Sequence, residues 1–206
     1  DKYSNDMNKL MKNAANGKSD EEWDIIQLEA SNQFSAAVSS DGTLYLWGNK
    51  NVYKNFDLFL SAGNMYDMDF TLNYIVGVSG RRNSIYTGSR GLYDVVRANV
   101  GEKSVKIAQF LDGRTIEELV ASNNSVCLIL SDGSIGFVGD FTADAVKAPT
   151  LGADEHYVDV VGGANHYTGL TNKGNVYTWG RNNLDQCEMP SKTTESDRKS
   201  GSAGMP

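Results

Sequence analysis

Short alternating runs that end on glycine dominate the chain. Leu44-Tyr45-Leu46-Trp47-Gly48, Ile135-Gly136-Phe137-Val138-Gly139 and Val176-Tyr177-Thr178-Trp179-Gly180 each follow a turn pair, Asp41-Gly42, Asp132-Gly133 or Lys173-Gly174. Alternation of this length bounded by turn residues predicts strands, and Asp-Gly between two such runs predicts a two-residue hairpin with positive φ at both central residues. A degenerate copy runs from Arg82 to Gly88, so the closing glycines 48, 88, 139 and 180 lie 40, 51 and 41 residues apart. The likeness reaches upstream. Ser31, Ser122 and Gly163 stand eleven residues before their turn glycines, with Leu28, Leu119 and Val160 three positions earlier. Each unit therefore reads strand, tight bend at a small residue, strand, hairpin, strand.

Units of 40–50 residues built from short antiparallel strands are too thin to bury their own faces. Radial stacking as propeller blades is the usual solution, so the chain is expected to be all-β with about four blades in a partial or small propeller. The repeat resembles that of the regulator of chromosome condensation (alpha-tubulin suppressor-like) family. The fourth copy carries it in Gly163-Ala164-Asn165-His166-Tyr167, then Lys173 through Asn182, then Gln186. The first copy matches from Phe34 to Gly48, and the third keeps Asp132-Gly133 but has Phe137 and Val138 where the family has Thr and Trp. The resemblance covers about residues 25–190. It implies a seven-bladed propeller, whereas four repeats are present, and Asp185 replaces the family glycine before Gln186. A compact four-bladed ring, a fragment of a larger propeller, and an arc completed by another chain remain open, with an incomplete or partner-completed arc favoured.

The repeats occupy 23–190. Before them, 1–22 holds a short helix and linker, with Met7, Leu10, Met11 and Ala14 on one stripe. After them, 191–206 is a polar tail without apolar content. The chain opens on Asp1 without a signal-peptide pattern and reads as processed or as a piece of something longer; its compartment is undetermined. The 19 basic and 26 acidic residues give a net charge of −7, which argues against wrapping nucleic acid, and no apolar run is long enough to span a membrane, so the chain is expected to be soluble.

Candidate chemistry is sparse. Cys127 lies in an apolar run and reads as a small buried hydrophobe; Cys187, His156 and His166 show no metal-site spacing with it. His166 reads as a packed ring near a blade bend and His156 as surface. No nucleophile elbow, metalloprotease motif or phosphate loop occurs, and Gly77 to Arg82 reads as a hairpin turn before it reads as an anion nest. Asp20-Glu21-Glu22 and Glu117-Glu118 read as solvated charges, since neighbours on a strand point to opposite faces. No cofactor, metal or catalytic residue is expected.

Function then falls to surface loops. Candidate partner contacts are Trp23, the aromatic and amide-rich stretch Lys50, Asn51, Tyr53, Lys54 and Phe56, the pair Arg81 and Arg82, and Arg181, Asn182 and Asn183. The expected role is a non-catalytic protein-binding or assembly module, its partners other proteins, other subunits or copies of itself. Two alternatives stand beside it: a structural component of a large assembly such as a virus particle or surface fibre, and, as the resemblance implies, guanine-nucleotide exchange on a small GTPase.

Overall fold

A computed structural model describes residues 25–31, 33–49, 64–71, 75–87, 95–98, 102–139 and 147–188. The helix expected before residue 23 and the tail after 190 lie outside them. Four three-stranded antiparallel sheets follow one another, each in the simple order first, second, third strand. Blade 1 comprises β1 (Ile25–Ala30), β2 (Phe34–Ser39) and β3 (Leu44–Gly48). Blade 2 comprises β4 (Met65–Phe70), β5 (Ile75–Ser79) and β6 (Ile85–Thr87). After an insertion, blade 3 has β9 (Ile116–Ala121), β10 (Ser125–Leu130) and β11 (Ile135–Gly139), and blade 4 has β12 (Tyr157–Gly162), β13 (His166–Thr171) and β14 (Val176–Gly180).

The bends joining first and second strands are made by the small residues themselves. The Ser31 and Ser122 amides each donate at 2.8 Å to the carbonyl three residues on, at Phe34 and Ser125, and the Gly163 amide does the same to His166. The serine hydroxyls accept back from the Phe34 and Ser125 amides.

The second hairpins differ from the sequence expectation. They are three-residue loops, Ser39 pairing with Thr43, Leu130 with Ser134 and Thr171 with Asn175. Only the third loop residue, Gly42, Gly133 or Gly174, takes a left-handed φ, between +74° and +81°. The preceding aspartates stay in ordinary backbone space and act through their side chains: Asp41 and Asp132 accept from the amides of Thr43 and Ser134. In blade 2 the loop is one residue longer, and Arg82 holds the third position at φ +56°. Arg82 accepts that conformation while its guanidinium pairs with Glu117 of blade 3 at 2.6 Å and lies 4.4 Å from the centre of the Tyr66 ring. Arg82→Ala loses these contacts and keeps the strain, whereas Arg82→Gly loses them and relieves it. Urea unfolding is expected to find the glycine variant more stable than the alanine variant by about 1 kcal/mol.

The long interval between blades 2 and 3 is structured in part, where the sequence suggested only an insertion loop. It holds β7 (Val95–Val96), β8 (Val105–Lys106) and a single-turn helix, α1 (Ile107–Leu111). Arg97 exchanges two backbone hydrogen bonds with Phe137, laying this segment along the outer strand of blade 3. Val96 and Leu111 enter the core between blades 2 and 3, with Phe110 packed against it. A Cβ at Gly136 would collide with Phe110 and Val96. Gly136 occupies the slot that Tyr45 and Tyr177 fill in blades 1 and 4, so the insertion supplies the bulk that this repeat lacks.

The core lies between blades. Phe34, Ala36 and Val38 pack on Met65, Met68, Phe70 and Ile75 between blades 1 and 2. Between blades 3 and 4, Cys127, Ile129 and Phe137 meet Tyr157, Val160, Tyr167 and Trp179. Cys127 is fully buried, as expected of a small hydrophobe, and burial pushes its thiol pKa well above the usual range. His166 starts β13 at the bend, its ring against Gly163, where no Cβ would fit.

Candidate protein interface

Two features of this arc face outward or inward without being consumed by the inter-blade cores. The first is the row of innermost strands, β1, β4, β9 and β12, whose third residues are Gln27, Asp67, Glu118 and Asp159. Gln27 ties β1 to β4, and Asp67 with Asp69 ties β4 to β9. The Gln27 amide takes the Met68 amide at 3.2 Å and donates to the Met68 carbonyl at 2.8 Å. Asp67 accepts from the Leu119 amide at 2.7 Å and Asp69 from the Ala121 amide at 2.6 Å. Strand edges facing the axis would otherwise leave these N–H groups unpaired.

Gln27, Asp67, Asp69 and Glu118, together with Glu29 and the bends around Ser122 and Gly163, line a cavity of about 580 Å³. Burial is the main cause pushing the Asp67 carboxyl up to about 6 and the Asp69 carboxyl up to about 7, against the pull of their backbone donors. Glu118 rises to about 7 through burial, then through the charges of Asp159 and Asp67. Glu118 is therefore a half-buried cavity residue and not the solvated charge expected from sequence. Its neighbour Glu117 does point the other way, to Arg82. The carboxylate oxygens of Asp67 and Asp69 are committed to backbone donors, which makes them structural acceptors and leaves them poorly placed for acid–base chemistry.

The second feature is the pair of outer sheet faces. The fourth residue of the inner strand is buried in blades 2, 3 and 4, at 0% for Met68, 4% for Leu119 and 2% for Val160, yet Leu28 is 70% exposed. At the other end, Ile129 of blade 3 is 4% exposed and its counterpart Leu170 of blade 4 is 39% exposed, with Val161 and Val176 also exposed on the same face. A four-bladed ring closed on itself would bury Leu28 and Leu170 between blades 4 and 1. The compact ring is thus excluded, and the described residues form an open arc.

The residues singled out from sequence scatter around this frame. Trp23, Lys50, Asn51, Tyr53, Lys54 and Phe56 lie outside the described residues. Arg81 is exposed on the blade 2 hairpin, while Arg82 is spent on Glu117 and Tyr66. Arg181, Asn182 and Asn183 are exposed after β14, at the bend end of the blades and so on the opposite rim from Arg81. Asn182 accepts from the Cys187 amide at 2.8 Å, closing the turn that carries Gln186. The inner-strand side chains were legible in principle: positions 27, 67, 118 and 159 follow the blade spacing and interrupt apolar strands with a polar residue each time. Among the described residues no helix is long and apolar enough to cross a membrane.

Residues 157–186 match the family profile described as the regulator of chromosome condensation (RCC1) repeat. Among solved structures, Prp20p of Saccharomyces cerevisiae, characterised for its binding to Gsp1p and histones, superposes with a TM-score of 0.56 at 16% identity, over 83% of this chain and 47% of that one. The CRINKLY WD40 ectodomain of the Arabidopsis thaliana receptor kinase ACR4 gives 0.55 at 19% identity, over 77% of this chain and 51% of that one. The ectodomain of the Physcomitrella patens receptor kinase CR4 gives 0.50 at 16% identity, over 76% and 38%. The chain spans about half the length of the propellers it resembles, or less. Four sheets of one topology at the repeat spacing, the last of them matching the repeat profile, make this an RCC1-like repeat β-propeller chain.

Proposed function

We propose that the chain is a non-catalytic protein-binding module, a propeller arc whose uncovered terminal blades make the contact. The observation that carries the reading is Leu28: an inner-strand apolar residue that every other blade buries is here turned to the outside. A contiguous apolar sheet face of this kind marks a protein contact. Arg81 on one rim and Arg181, Asn182 and Asn183 on the opposite rim are further candidate polar contacts. Cross-linking in the native source, followed by mass spectrometry, is expected to yield links from blades 1 and 4 to another polypeptide. Links confined to surfaces remote from both blades would sink the reading.

Nucleotide exchange on a small GTPase is the competing function, resting on the resemblance alone. Nucleotide-release measurements at micromolar chain are expected to show no acceleration, and a clear acceleration would move the proposal to exchange. A role as a structural part of a larger particle is a form of the binding reading and shares its test.

A further inference from the structure

The blade 2 hairpin reverses the charge that blades 1 and 3 place at the same corner. Thr43, Ser84, Ser134 and Asn175 hold one position in their blades, each carbonyl accepting from the amide that opens the loop, at Ser39, Ser79, Leu130 and Thr171. Two residues before Thr43 and Ser134 stand Asp41 and Asp132, whose carboxylates accept from the amides of those residues. Asp132 also accepts from the Ser134 hydroxyl. Ahead of Ser84 stand Arg81 and Arg82 instead. Of all the serines and threonines in the chain, Ser84 alone has basic residues both two and three positions before it.

Its placement suits a modifying enzyme. Arg81 and Asn83 are exposed on the hairpin rim and Ser84 is half-buried. The Ser84 hydroxyl donates to the Asn83 side chain at 3.1 Å, a bond between neighbours that opens with the loop. β6 has three residues where the third strands of the other blades have five, so drawing residues 81–85 out into an extended strand breaks few pairs. Arg82 is turned to Glu117, in an ion pair more than a third exposed on both sides, and such a pair yields readily to another carboxylate. Arg81 makes no hydrogen bond or ion pair with the described residues. With Ser84, Asn64 and Tyr86 it lines a rim cavity of about 650 Å³. An unpartnered guanidinium therefore shares a cavity with a reachable hydroxyl.

We propose that Ser84 is a phosphorylation site for an arginine-directed serine kinase, and that Arg81 holds the phosphate afterwards in the rim cavity. Such a kinase reads paired arginines through acidic groups along its peptide groove. The terminal phosphoryl group of a nucleoside triphosphate moves to Ser84 Oγ: the bond from that phosphorus to the bridging oxygen breaks and the Oγ–P bond forms. The hydroxyl proton passes to the kinase's catalytic carboxylate, and the nucleoside diphosphate leaves. A phosphate of charge near −2 beside a guanidinium accepts charge-assisted, bidentate hydrogen bonds. A free rim cation becomes a paired group of net negative charge.

Incubation of the full chain with the catalytic subunit of such a kinase and a nucleoside triphosphate is expected to place a phosphate on Ser84, mapped by peptide mass spectrometry, and none on Thr43 or Ser134. Arg81→Ala is expected to slow incorporation at Ser84 at least about tenfold, through loss of a charge pair with the enzyme. Circular dichroism checks that the variant is folded; should it not be, Arg81→Gln takes its place. In the phosphorylated chain, phosphorus NMR is expected to find the second ionisation of the phosphoserine below its usual value of about 6, and in the phosphorylated Arg81 variant back at that value. No phosphate on Ser84, or equal incorporation at Ser134, would overturn the site. An ionisation that the Arg81 variant leaves unmoved would overturn the holding of the phosphate by Arg81.

Discussion

Trp179→Ala is expected to lower unfolding stability by about 3–5 kcal/mol, as large aromatic deletions from a packed core do. Trp179 is where three rings converge: Tyr157 at 5.4 Å, Tyr167 stacked at 5.9 Å and Phe137 edge-on at 6.5 Å between centroids. Phe137 belongs to blade 3 and the others to blade 4, so the loss falls on the junction between blades. Tyr167 adds a hydrogen bond across the same junction, its hydroxyl 2.8 Å from that of Ser125. The indole N–H of Trp179 is buried without a hydrogen-bond partner among the described residues. Trp179→Phe therefore keeps most of the ring contact while removing an unsatisfied donor, and it is expected to cost far less than the alanine change. Chemical denaturation of both variants checks the pair; equal losses would mean that the cluster does not hold the blades together.

The second large effect is a stability that falls as the solution becomes alkaline. Asp67 and Asp69 have native pKa values of about 6 and about 7, raised chiefly by burial from an ordinary value near 3.8. A carboxyl raised in the folded state binds its proton more tightly there than in the unfolded chain. Its contribution is fully present below the unfolded value and is lost as pH rises through the folded one. Unfolding stability is thus expected to drop by on the order of 2–4 kcal/mol between pH 4 and pH 8, in the opposite sense to a protein whose carboxylates are salt-bridged. Thermal melts across this range test it. Asp67→Asn with Asp69→Asn keeps acceptors for the Leu119 and Ala121 amides and is expected to flatten the profile; an unchanged slope would assign the pH dependence elsewhere.

Much of the architecture was legible because turn chemistry repeats at fixed spacing. Gly42, Gly133 and Gly174 mark the second hairpins and Ser31, Ser122 and Gly163 the bends, and a single-residue signal at each corner is enough to register three strands. The hairpin type was misread because Asp-Gly serves two different loops: here only the glycine needs a left-handed φ, and the aspartate acts through its carboxylate on the amide two residues on. The outer faces were harder to see. Leu28 and Val160 look equivalent in sequence, and only the packing of blade 3 against Val160 makes it a core residue while Leu28 is exposed. Glu118 was read as surface because an isolated charge beside another charge carries no local sign of burial. The cavity becomes apparent only when four inner strands from distant parts of the chain are placed side by side. The structured part of the insertion was hidden for a related reason: Val95–Val96 and Val105–Lys106 are too short to announce themselves, and they form by leaning on blade 3.

That insertion also limits how freely the repeats can be exchanged. Blades 1 and 4 carry the aromatic pattern of the repeat and are interchangeable in outline. Blade 3 carries Gly136 at the position of their tyrosines, and Phe110 and Val96 fill the space beside it. Transplanting the Val176–Gly180 strand into its place would drive a tyrosine ring into space already filled. Duplication or shuffling of units could therefore lengthen or rebuild the arc at its ends, while the middle is locked to one partner segment. The repetitive scaffold thus has a fixed, non-transferable centre.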